Sequence, residues 1–240
     1  LPEGPADDGV AYISFYLEPD ADQEEMLERV REGLKEIAGW GVEIGEATIQ
    51  ASETEDKDWI NNWKEFFHQF YVDDILIKPS WEEVKPEDRE KLLIQIDPGT
   101  AFGTGMHETT QLCIRQLRKF LTPETELLDV GTGSGILSII SLKLGAKHAV
   151  GTDLDPCAVE AVRENMEVNG IDPASFEMMI GNIITEKEIQ DRVGYECYDI
   201  VVANILAEEL VPLTPVILSQ LKPGGVYITS GIIDDKEDLV

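Results

Sequence analysis

The chain has 240 residues and sets 19 Lys and Arg against 48 Asp and Glu, a formal net charge of -29. Its 42% hydrophobic content supplies a core and excludes a wholly disordered chain, and the length suits one large domain or a domain with a smaller companion. Such a charge repels a phosphate backbone and no stretch has the Lys/Arg density of a docking stripe, so direct nucleic-acid binding is not expected; the same charge attracts a basic protein, or simply keeps the chain in solution.

In chain order, Val10 to Leu17 alternates Ala11, Ile13, Phe15 and Leu17 on one side, which predicts a strand. The following helix carries Met26, Leu27, Val30, Leu34 and Ile37 at helical spacing, has acids in its first turn and stops near Gly39. A second strand is predicted over Val42 to Ala51, completing a small β-α-β piece. Between 56 and 96, Trp59, Trp63, Phe66, Phe67 and Phe70 make a helical aromatic face, and "DILIKPSW" and "KLLIQIDPG" read as short strands. Beyond 97 the pattern is regular. Helix Thr109–Phe120, strand "ELLDVG", helix Ile136–Leu144, strand "AVGTD", helix Ala158–Asn169 and strand "FEMMI" are followed by a short helix. Strand "DIVVAN", helix Ala207–Leu221 and strand "VYITSG" complete the series. Nearly all-apolar strands alternating with helices require a mostly parallel sheet covered on both faces, a doubly wound α/β fold of Rossmann-like type. Ligands bind such a sheet at the strand C-termini, where the strand order reverses.

Three cysteines, Cys113, Cys157 and Cys197, form no CxxC pair, which suits a reducing compartment and gives no thiolate metal site. No apolar run reaches the ~20 residues of a membrane span and no leader opens the chain, so a cytoplasmic location without membrane attachment is expected. No internal repeat or low-complexity segment interrupts the pattern.

The most informative string is "LLDVGTGSGILSI". Gly131, Gly133 and Gly135 form a G-x-G-x-G turn between strand and helix, where absent side chains let a cofactor approach and free N–H groups can meet ligand oxygens. A dinucleotide fingerprint would need glycine at 136, where Ile136 stands, and no Walker lysine follows. Asp129 is placed either to hold the turn or to meet a cationic ligand group. Asp153, 22 residues beyond Gly131, ends the next strand, where a carboxylate can accept both ribose hydroxyls of an adenosine. Asp155 reads as an N-cap ahead of Pro156. Asn204, directly after "DIVVA", offers carbonyls to an amine, with a turn or cap as its plainer role. In "DPGTAFGTGMHETT", Gly103 and Gly105 allow a tight loop, Phe102 can cover a cofactor face, and Thr109 or Thr110 can cap the helix or bind a ligand. His107 and Glu108 lack ligand spacing with His68 or His148, so no metal is expected; a proton relay through His107 is a minor reading.

These strings, with "LKPGGVYITSGI" and the "DWINNWKEFF" and "KPSW" segments, occur in an order and approximate spacing similar to those of the PrmA family. Its members methylate ribosomal protein eleven of the large subunit and belong to the class I methyltransferases. The resemblance is strong after residue 56 and weaker before it. It implies S-adenosylmethionine as cofactor, S-adenosylhomocysteine as product, no metal, and methyl transfer to lysine ε-amines and an N-terminal α-amine of a basic ribosomal protein. It also implies cofactor contacts from Phe102, Gly103, Thr104, Thr110, Gly131, Gly133, Gly135, Asp153 and Asn204, with Asn204 also catalytic, in a monomer. Residues 1–55 correspond to part of a ferredoxin-like substrate-recognition domain and 56–96 to a linker. Residues 97–240 correspond to the methyltransferase domain, which in the family continues further. "GTG" at 131–133 and "MHETT" depart mildly from the family's usual "GCG" and "THPTT". Two other readings stand beside this one: a class I methyltransferase with a different acceptor, and a cofactor-binding module without transfer activity. Asn-Ile-Leu-Ala at 204–207 is not the Asn-Pro-Pro-Tyr of glutamine-modifying enzymes.

Overall fold

The structure is a computed structural model that describes residues 13, 17, 22–51, 67–97, 105–232 and 236. Contacts divide the chain into two units, Leu1–Lys57 and Asp58–Val240. The described part of the first is built on α1 (Gln23–Gly39). Its start is set by Asp22, whose carboxylate accepts the Glu24 and Glu25 N–H groups at 2.9 and 3.0 Å, and Glu24 and Glu25 face the positive end of the helix dipole. Most of the strand expected over Val10 to Leu17 lies outside the described residues. The strand expected over Val42 to Ala51 is not formed. Gly45 and Ala47 take positive φ values of 58° and 46°, which a pleated strand does not tolerate.

The second unit holds two sheets. In the smaller, β1 (Phe70–Val72) pairs antiparallel with β2 (Ile75–Lys78), and β2 pairs parallel with β3 (Leu92–Gln95). Phe70 therefore opens a strand rather than lying on a helical aromatic face, while Trp59, Trp63 and Phe66 fall outside the described residues. Phe67 meets Phe70 and Trp81 edge-on, with ring centroids 6.4 and 6.2 Å apart. The aromatic residues here pack around a turn into the sheet instead of along a helix.

The larger sheet contains β4 (Glu126–Val130), β5 (His148–Asp153), β6 (Phe176–Ile180), β7 (Tyr198–Asn204) and β8 (Leu221–Ser230). All five are parallel, in the order β6-β5-β4-β7-β8. Between them run α2 (Glu108–Phe120), α3 (Ile136–Lys143), α4 (Cys157–Val168), α5 (Lys187–Val193) and α6 (Ala207–Ile217). The two-residue period of the strands sends Leu127, Ala149, Ile200 and Val202 to one face, under α2, α3, α4 and the small sheet. Leu128, Val150, Val201 and Ala203 point to the other face, under α5 and α6. This is the doubly wound α/β fold expected from the strand and helix pattern. The helix boundaries fall within one residue of those expected except in α6, which ends at Ile217, not Leu221. The Gln220 carbonyl accepts the Cys197 and Tyr198 N–H groups at 3.0 and 3.3 Å, drawing the chain into β8 ahead of the Pro223-Gly224-Gly225 break.

The strand order reverses between β4 and β7. Val130 pairs with Ala203, Ala203 with Thr229, and Asn204 with Ser230, so the loops after β4, β7 and β8 leave the sheet at one level.

Candidate active site

The turn after β4 is tied down from within. The Thr152 carbonyl accepts the Gly131 and Thr132 N–H groups at 2.8 and 3.1 Å, and the Thr132 carbonyl accepts that of Gly135 at 2.9 Å. The Gly133 N–H donates to Asp153 Oδ2 at 2.8 Å. The amides of Gly131, Thr132, Gly133 and Gly135 are thus spent internally, and at these positions the glycines contribute curvature and clearance. Gly131, Gly133 and Gly135 have φ values of 71°, 53° and 79°, a region costly for other residues.

Asp129 resolves its two readings in favour of the turn. It is buried beneath the turn, where Oδ2 accepts the Thr132 and Ser138 hydroxyls at 2.9 and 2.8 Å. Burial pushes its carboxyl up to about 6, against the pull of those hydroxyls and with a small addition from the Asp153 charge. Asp153 sits at the end of β5, half-buried. Oδ2 holds Gly133, and Oδ1 accepts the Asp155 N–H at 2.9 Å. A carboxylate has about four acceptor sites, so two remain for a pair of vicinal hydroxyls. Asp155 in turn accepts the Cys157 N–H at 2.9 Å, the capping role its sequence position indicated.

Across the strand reversal, Asn204 Nδ2 donates to Thr110 Oγ1 at 3.0 Å. Thr110 is buried in the first turn of α2, so the bond joins residues 94 positions apart and commits one N–H of the amide to the protein, which fixes the orientation of the group. The Asn204 oxygen is then the group available to a donor. His107 caps α2: its Nδ1 accepts the Thr109 N–H at 3.3 Å and lies 2.7 Å from Thr109 Oγ1. Its local role is structural. Phe102, Gly103 and Thr104 lie outside the described residues. Gly105 packs so closely on Ile136 that a Cβ would stand 2.3 Å from Ile136 Cδ1. Leu154 and Leu206, next to Asp153 and two positions past Asn204, are 65% and 69% exposed, apolar surface beside a polar pair. Ile205, which carried no signal of its own in the sequence, lies between the glycine turn and the end of β8.

The residues suit a nucleoside cofactor without phosphates: a glycine turn with its amides satisfied, a carboxylate with two acceptor sites open, and an oriented amide oxygen opposite. With the β6-β5-β4-β7-β8 parallel sheet, they define a class I S-adenosylmethionine-dependent methyltransferase. The family model described as "Ribosomal protein L11 methyltransferase (PrmA)" matches residues 4–240. The ribosomal protein L11 methyltransferase of Agathobacter rectalis is 56% identical over 244 residues, covering 100% of this chain and 75% of the relative. That of Lachnospira eligens is 53% identical over 240 residues, with the same coverage. The crystal structure of a ribosomal protein L11 methylase from Lactobacillus delbrueckii subsp. bulgaricus superposes with a TM-score of 0.61 at 36% identity, covering 69% of this chain and 81% of that one. The chain belongs to the ribosomal protein L11 methyltransferase family.

Proposed function

We propose that this chain methylates amines of a basic ribosomal protein of the large subunit, at lysine ε-amines and at the N-terminal α-amine. The observation that carries this reading is the Asn204–Thr110 hydrogen bond at the strand reversal. When bound, S-adenosylmethionine supplies an electrophilic methyl group on a sulfonium. The residues proposed to hold it are Phe102, Gly103, Thr104, Thr110, Gly131, Gly133, Gly135, Asp153 and Asn204, with Asp153 accepting the ribose hydroxyls.

Asn204 accepts a hydrogen bond from the incoming amine through Oδ1, which aims the nitrogen lone pair; rate enhancement then comes chiefly from alignment. A free lysine amine has a pKa of ~10.4, and the apolar surface of Leu154 and Leu206 disfavours its charged form. With His107 engaged at the helix cap, the proton leaves to solvent. In this reading residues 1–55 present the substrate protein, 56–96 connect, and 97–240 hold the chemistry. The chain acts in the cytoplasm as a monomer, without touching nucleic acid.

Asn204→Ala should lower kcat roughly ten- to hundredfold while changing the cofactor Kd far less, read by single-turnover transfer and calorimetry. Incubation of purified large-subunit proteins with labelled cofactor, followed by mass spectrometry, should place methyl groups on amines of a basic protein. Label in RNA, or cofactor binding with no transfer to any ribosomal protein, would overturn the reading.

A further inference from the structure

We propose that Ile205 is a positioning residue that couples the glycine turn after β4 to Asn204, through one β-branched methyl lodged against Gly131 and a main chain held under Gly231. The inference rests on the function proposed above and adds a residue to it. Ile205 follows Asn204, the last residue of β7. On one side its Cγ2 sits 2.4 Å from where a Cβ on Gly131 would stand. On the other, its carbonyl oxygen is 2.0 Å from the corresponding position on Gly231. Both glycines have positive φ, 71° and 91°, so neither site accepts a side chain without a shift of the chain as well as strain. Two strands that flank β7 therefore close on the residue that follows Asn204.

The clamp works on different parts of Ile205. Gly231 meets its backbone, which fixes the direction of the chain leaving β7. Gly131 meets a methyl on the β-carbon, so the contact depends on branching at that carbon rather than on volume. The rest of the side chain packs, half-buried, on the core cluster that contains Leu128, Val130 and Ala203. The Asn204 side chain is anchored separately, to Thr110. Asn204 is thus held by its amide from α2, and the residue after it is held through its methyl by the glycine turn and through its main chain by Gly231. A displacement of that turn, the element that faces the cofactor, reaches the amine-orienting oxygen through the Ile205 methyl.

Side-chain shape separates this role from simple packing. Ile205→Val keeps both branches at the β-carbon; Ile205→Leu keeps the volume but carries no branch there. In the full chain, the Val variant should retain wild-type kcat within about twofold. The Leu variant should lose roughly ten- to hundredfold in kcat, with KM for the ribosomal protein and the calorimetric Kd for S-adenosylhomocysteine changing less than about threefold. A second readout needs neither turnover nor ligand: the Asn204 side-chain amide resonance of the free protein should be unmoved by Val and displaced by Leu. Saturation with S-adenosylhomocysteine should shift that resonance in the wild type and Val variant, and less in Leu. Ile205→Ala, which removes the methyl without adding bulk, gives the same reading should the Leu variant not fold. Equal behaviour of Val and Leu in both kcat and the resonance would overturn the inference. Failure of the wild type to bind the cofactor would instead overturn the proposed function, and the free-protein resonance would still decide the role of Ile205.

Discussion

At the scale of single residues, Asp129 is a carboxyl group taken out of water. Its carboxyl is raised to about 6 from an ordinary 3.8, first by burial. The folded protein therefore binds this proton more tightly than the unfolded chain does. Its contribution to stability is fully present below about pH 4 and is lost as pH rises through about 6. Asp129→Asn keeps an oxygen for Thr132 and Ser138 but cannot ionise. The unfolding free energy of the wild type minus that of the variant should fall by about 2 kcal/mol between pH 4 and 6, measured by urea denaturation across that range; a flat difference would show that the carboxylate is not desolvated. The site was partly legible from sequence because Gly131, Asp153 and Asn204 all lie at strand ends, and strand ends in a parallel sheet share a rim. Which groups were already spent was not legible. The amides of Gly131, Thr132 and Gly133 and one N–H of Asn204 are committed to partners set by the tertiary fold, the last of them 94 residues away, and no local pattern encodes such a partner.

At the scale of elements, the small sheet is fastened to the large domain by a side chain that imitates a strand. Asn169, which ends α4 and is buried, accepts the Gln95 N–H at 2.9 Å and donates to the Gln95 carbonyl at 2.6 Å. A third bond runs from its Nδ2 to the Asn165 carbonyl at 2.7 Å. Asn169→Ala leaves half-buried backbone groups of β3 without these partners and should cost about 1–3 kcal/mol. Urea unfolding measures that loss, and faster hydrogen exchange at the Gln95 amide would locate it. The strands and helices beyond residue 105 were readable because each strand is a short apolar run between glycine or aspartate breaks. The stretch 42–51 misled for a local reason: Val42 and Ile44 are spaced as on one face of a strand, yet the backbone turns left-handed at Gly45 and Ala47. At the end of the aromatic run, Phe67 and Phe70 misled for another. They are three apart, a spacing that serves a helix face and also suits a chain turning into β1.

At the scale of the whole molecule, the net charge of -29 works in two directions. It repels itself, and exposed pairs such as Arg163 with Glu160 or Lys222 with Asp199 offset little of that. Raising salt from 0.05 to about 0.5 M shortens the screening length to a few ångström, so Tm should rise. The same screening should weaken capture of a basic substrate and raise its KM. A Tm that falls with salt, or a KM indifferent to it, would place the charge elsewhere in the account. The satisfied amides of the glycine turn have a consequence for the enzyme among the metabolites of a cell. ATP carries the same adenosine as the cofactor, but its triphosphate needs donors, and at this turn Gly131, Thr132, Gly133 and Gly135 have none left to give. At these four positions the turn has no hydrogen bond to offer a phosphate, so this part of the discrimination between the two adenosine compounds lies in the backbone rather than in a side chain.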